Sequence, residues 1–143
     1  MAGLSDFAES GVLSHFFRTD TLAKPTVIAI ALCANVPVDS DTGALTSREI
    51  ANAGSYARQT LNPLDANWTY TQTNDSGVVA NASTVTFPTA TADWGWVSGV
   101  AITTSATYGA GNYIVGGALA LPKLISNGDA IHFSAADISL YLS

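Results

Sequence analysis

Apolar and polar positions alternate with a period of two over much of the chain, and Pro, Gly and Asn-Gly cut the alternation at short intervals. That pattern predicts short strands that fold back on one another. It is densest from Ser83 to Ser143. In Asp93–Thr103, Trp94, Trp96, Ser98, Val100 and Ile102 share one face, and Gly95, Val97, Gly99 and Ala101 the other. In Asn112–Leu121, Tyr113, Val115, Leu119 and Leu121 oppose Ile114, Gly116, Ala118 and Ala120. Each run thus has a large-residue face for a core and a small-residue face open to close approach. Pro122 is expected to end the second run and Asn127-Gly128 to turn a hairpin. Ala136–Leu142 is expected to close the chain as a strand, with Ala136, Ile138, Leu140 and Leu142 inward.

Upstream, Thr26–Ala34 (TVIAIALCA) is apolar on both faces. It reads as a central strand covered on each side, one side by the preceding helix. That helix is predicted over residues 4–17, where Leu4, Phe7, Ala8, Val12, Leu13, Phe16 and Phe17 recur at helical spacing. Ser5 or Asp6 caps it, Asp6 and Glu9 sit at its positive end, and Arg18-Thr19-Asp20 ends it. Asn35–Leu45 is a loop, and Ser47 is placed to cap a single helical turn through Arg48–Ala51. Shorter strands are expected in Ser55–Leu61, Asn67–Thr73 and Ser83–Phe87. The fold class that follows is mainly β: an antiparallel β-sandwich or flattened barrel of about eight strands with one short N-terminal helix (about 4–18), in a single domain over 1–143.

Composition narrows what such a fold does. The chain is 48% apolar and only 11% charged, about half the usual charged share. A surface so poor in charge is expected to meet another protein. Five scattered basic residues and a net charge of -6 argue against a nucleic-acid partner, which clustered Lys and Arg would recruit. No segment reaches the ~18 apolar residues of a membrane span, so no membrane partner is expected.

Candidate chemistry is sparse. Cys33, the sole cysteine, lies in an apolar run and reads as a small buried hydrophobe. Asp39-Ser40-Asp41-Thr42-Gly43 resembles the start of a calcium loop. However, Gly43 comes one residue early and Glu49 falls short of the closing position, so a surface turn is the stronger reading and a weak cation site at Asp39 and Asp41 the weaker. His15 and His132 lie far apart, with no second ligand in zinc spacing. No nucleophile elbow and no phosphate loop occur. Trp94 and Trp96 are expected in the core; a sugar-stacking platform with Tyr113 is the rival. The chain therefore reads as no enzyme, with no catalytic residue, cofactor or metal.

Three segments carry a family resemblance: FPTATADWGWVSGVAI, then Gly116-Gly117-Ala118-Leu119, then LPKLISNGDAIHFSAADISLYL. With Leu13–Thr19, Pro25–Leu32 and Gly54–Gln59 ahead of them, the sequence resembles small structural proteins of tailed bacteriophage virions over nearly its whole length. Thr103–Gly111 departs from that pattern by being longer. The resemblance implies a virion component with no catalytic residue. The favoured expectation is a capsid decoration (cement) protein that binds the major capsid protein at capsomer joints. The alternative is a tail, baseplate or fibre-associated component with tail proteins as partners. A homo-oligomer is expected, a trimer ahead of a dimer. Exposed apolar content and loop length nominate Leu13, Phe16, Phe17, Val38, Leu45, Tyr108 and Asn112 for the interface.

Overall fold

A computed structural model describes residues 3–142. One helix, α1 (Asp6–Phe17), precedes nine strands: β1 (Ala29–Cys33), β2 (Gln59–Thr60), β3 (Trp68–Gln72), β4 (Gly77–Asn81), β5 (Val85–Thr86), β6 (Gly95–Thr103), β7 (Tyr113–Ile125), β8 (His132–Phe133) and β9 (Ser139–Leu142). They form three sheets, ordered β2-β1-β6-β7, β3-β4-β9 and β5-β8, and every pairing is antiparallel. The mainly β expectation with one N-terminal helix is met.

β1 is central, flanked by β2 and β6, and all five of its residues are buried. Its two faces feed different clusters. Ile30 and Leu32 join the main core with Val97, Val100, Ile102, Val115, Phe87 and Ile138. Ala31 and Cys33 pack with Leu45, Ala101 and Tyr113. The second face is thus covered by the loop carrying Leu45 and not by α1, which buries only Ala8.

Ser5 caps α1 as expected, its hydroxyl accepting from the Ala8 N–H. The same hydroxyl donates to the Tyr113 carbonyl, and the Ser5 N–H donates to the Ile114 carbonyl at 2.8 Å. Leu4 bridges to Val115. The helix is therefore pinned at its N-terminal end to the edge strand β7. No helical turn forms at Arg48–Ala51: Ser47 has φ +62°, and Glu49 bridges to Cys33 as an extended residue.

An irregularity between β6 and β7 overturns the face assignment drawn from simple alternation. Between the Val97–Lys123 and Gly99–Ala118 pairs a single β6 residue, Ser98, faces four of β7, and the alternation of faces slips there. Val97 is buried on the core side with Val100 and Ile102, whereas Trp96 turns out to solvent, 58% exposed. Trp94 packs against the core, so only one of the two tryptophans meets expectation.

β7 does not stop at Pro122. Residues 119–122 have no partner in β6, whose pairing resumes at Lys123 and runs to Ile125. A missing N–H is harmless on that unpaired stretch of an edge strand. Leu121 is accordingly exposed. Asn127-Gly128 does turn the chain: the Asp129 N–H donates to the Ser126 carbonyl at 3.0 Å, and Gly128 takes φ +92°. The flanking strands do not form a hairpin, because β8 pairs with β5. In the last segment Ile138 is buried and Leu140 packs on the core, but Ala136 and Leu142 are exposed.

Candidate functional site

The densest chemistry is a buried polar knot that residue spacing did not reveal. Arg58 precedes β2, and its guanidinium grips Glu49 with both arms, Nε to Oε1 at 2.9 Å and Nη2 to Oε2 at 2.7 Å. Both side chains are sealed from solvent. The remaining Arg58 donors reach the carbonyls of Gly43 (2.8 Å), Ala110 (2.9 Å) and Ser105 (3.1 Å) and the Thr103 hydroxyl (3.2 Å). Tyr56 donates to Glu49 Oε1 at 2.8 Å and accepts from the Leu32 N–H at 3.0 Å. Arg58 thereby ties β6 to the 35–50 and 104–112 loops, and Tyr56 links the knot to β1. The two loops touch so closely that a Cβ on Gly43 would lie 1.9 Å from the Gly111 carbonyl oxygen.

This knot holds the fold and has no free group for catalysis. Burial, then the Glu49 carboxylate, pushes the Cys33 thiol up to about 12. The same two causes push the Tyr56 hydroxyl up further. Neither supplies a nucleophile or a proton shuttle near neutral pH.

Other candidates disperse. Asp41 Oδ2 accepts from the Val38 N–H at 2.8 Å and lies 3.2 Å from Arg48 Nε, so that carboxylate is engaged within its own turn. Among the described residues no three metal-ligating side chains gather. His15 Nδ1 accepts from the Leu22 N–H at 3.3 Å, while His132 is an exposed residue of β8. Trp94 donates to the Gly54 carbonyl at 2.8 Å and Tyr113 is buried, so the two do not form an open platform with Trp96.

What remains is apolar surface. Leu13, Phe16 and Phe17 are 59%, 73% and 82% exposed at the C-terminal end of α1. Val38 is exposed in the loop whose Asp39 carbonyl accepts the Asp6 N–H at 2.9 Å, beside the start of the helix. Asn112 is exposed and lines a groove with Phe7 and Val12 of the helix. Tyr108 is exposed elsewhere, its ring edge-on to Tyr56 at 6.4 Å. Leu45 is a correction: at 1% exposure it belongs to the core. Missed altogether was a pair on β6 and β7, exposed Trp96 directly opposite exposed Leu124, which only the irregularity brings to the surface. A further concave feature, an apolar pocket of about 290 Å³, opens between the two larger sheets. Its walls include Ile28, Ile102 and Val115 on one side and Trp68, Val79 and Leu140 on the other.

The family model described as podophage GP4 fiber I protein gp80 matches residues 3–141. The chain belongs to that family. No curated protein matches it. Membership makes the chain a structural fibre component of a phage virion and not an enzyme. It also corrects the favoured expectation: the family is one of fibre proteins, so capsid decoration gives way to the tail and fibre alternative. The β-rich, charge-poor composition common to both classes is why residue patterns alone ranked them wrongly.

Proposed function

We propose that this domain is a homo-oligomeric building block of the tail fibre apparatus that contacts neighbouring fibre or tail subunits through α1. One observation carries this reading: three large apolar side chains, Leu13, Phe16 and Phe17, face solvent on a helix anchored at its other end. Phe16 and Phe17 alone expose on the order of 300 Å², a large patch for a protein that stands alone. Val38 and Asn112, near the same helix, form the edge of that contact, and a trimer is favoured over a dimer. Tyr108 serves a separate, lesser contact.

Electron microscopy of particles lacking the protein tests the placement. Intact, DNA-filled shells with fibres missing or shortened are expected. Shells stripped of surface projections, with normal fibres, would overturn it. Gel quantification of copies per virion gives a parallel readout: a number typical of a tail appendage supports the reading, and hundreds per particle contradict it.

A further inference from the structure

Helical geometry decides which side of α1 is free. At about 100° per residue, Ala8, Gly11 and His15 fall on one side. Ala8 is the buried residue of the helix, a Cβ on Gly11 would meet Leu22 at 2.7 Å, and His15 accepts the Leu22 N–H. That side rests on the protein's own body. Leu13 and Phe17 project on the opposite side and Phe16 on the flank, its ring edge-on to His15 at 5.3 Å, and the three form a knob exposed to solvent.

We propose that this knob seats in the inter-sheet pocket of a second copy of the chain, an inference that rests on the self-association proposed above. Size, chemistry and charge agree. The pocket holds about 290 Å³, and an apolar cavity of about 150 Å³ suffices for benzene, so one or both phenyl rings fit. Its walls are aliphatic and indole carbon, matching the knob. Lys24 and Asp65 stand at the rim, while Arg18 follows the knob and Glu9 lies one turn before it. None of these four takes part in an intrachain ion pair among the described residues, so opposite charges are free to meet across the joint.

The chain's own pocket is a poor destination. Ser5 and Asp6 tie the helix start to β7 and the Asp39 loop, and Leu22 lies beneath it. Reaching inward would mean releasing all three. Knob and pocket are different patches, so the joint is heterologous, and repeated it closes a ring or extends a row.

Sedimentation of purified protein at micromolar concentration tests the joint. The wild type is expected to be oligomeric. The double variant Phe16→Asp/Phe17→Asp and the rim variant Leu64→Asp alter exposed residues, so both should keep the wild-type circular dichroism and run as monomers. Mixed in equal amounts, they should form a heterodimer, because the Leu64→Asp copy supplies an intact knob and the other an intact pocket. Oligomers that persist in either variant, or variants that ignore each other on mixing, overturn the joint while leaving self-association standing. A monomeric wild type overturns both.

Discussion

Replacing Glu49 with Gln is the sharpest stability test, because it changes little in shape and removes the carboxylate that grips Arg58. The guanidinium has no exposure to water, so Glu49→Gln leaves a buried cation without its counter-charge. Breaking such a pair costs about 3–5 kcal/mol, a large part of the 5–15 kcal/mol typical of a domain. With a urea slope of about 2 kcal/mol per molar, the unfolding midpoint should fall by about 2 M. Tryptophan fluorescence during equilibrium urea unfolding reads this directly. A loss below about 1 kcal/mol would refute the premise that the pair is sealed and coupled. The double change Glu49→Leu/Arg58→Met separates the ion pair from the rest of the knot. An isolated buried pair replaced in this way is often neutral or better. Here the Gly43 and Ala110 carbonyls would lose the donor they use, while Ser105 keeps the Thr103 hydroxyl. Each acceptor left bare costs about 1–3 kcal/mol, so the double variant should stay at least about 2 kcal/mol below wild type. Full recovery would show that these loops do not depend on Arg58.

Three further outcomes are expected. Gly43→Ala drives a methyl into the Gly111 carbonyl and should lower stability by about 1–3 kcal/mol in the same urea assay; an unchanged midpoint would mean the loops separate without cost. Trp96→Ala should cost well under 1 kcal/mol, because that ring is mostly in water, while Trp94→Ala, losing core packing and the Gly54 hydrogen bond, should cost about 3 kcal/mol; equal losses would contradict the irregularity. Cys33, raised from 9.0 to about 12, and Tyr56 and Tyr113, both raised mainly by burial, hold their protons more tightly folded than unfolded. Stability from the thiol is therefore complete only below about pH 9 and that from the two hydroxyls below about pH 10, and each falls above its onset by about 1.4 kcal/mol per pH unit, as the unfolded chain ionises first. Urea midpoints that stay flat or rise between about pH 9 and 11 would refute that assignment.

Strand positions were readable where alternation is uninterrupted and burial two-sided. Thr26–Ala34 announced β1 because an unbroken apolar run has no stable place except between covered faces. Ser5 and Asp6 likewise marked the helix start through their capping chemistry. Faces were lost wherever the ladder slips. The irregularity beside Ser98 inverted Trp96, and the unpaired 119–122 stretch exposed Leu121. Such an irregularity depends on pairing between distant segments and leaves no local mark. The Arg58–Glu49 knot was invisible for a related reason: its partners at 43, 49, 103, 105 and 110 converge only after the loops fold. Leu13, Phe16 and Phe17 were found because the helix shows more apolar residues than one buried face accommodates. Leu45 was misjudged because its loop position masked its role in covering β1.

The most direct test of the central claim is site-specific photocrosslinking in intact virions, with a photoreactive phenylalanine analogue at position 17. The expected result is a crosslinked product of two copies of this chain, mapped by mass spectrometry to residues around Leu64, Trp68 and Val79, in material that sediments with the tail. A product with the major capsid protein, or efficient crosslinking to none of the fibre or tail subunits, would contradict it.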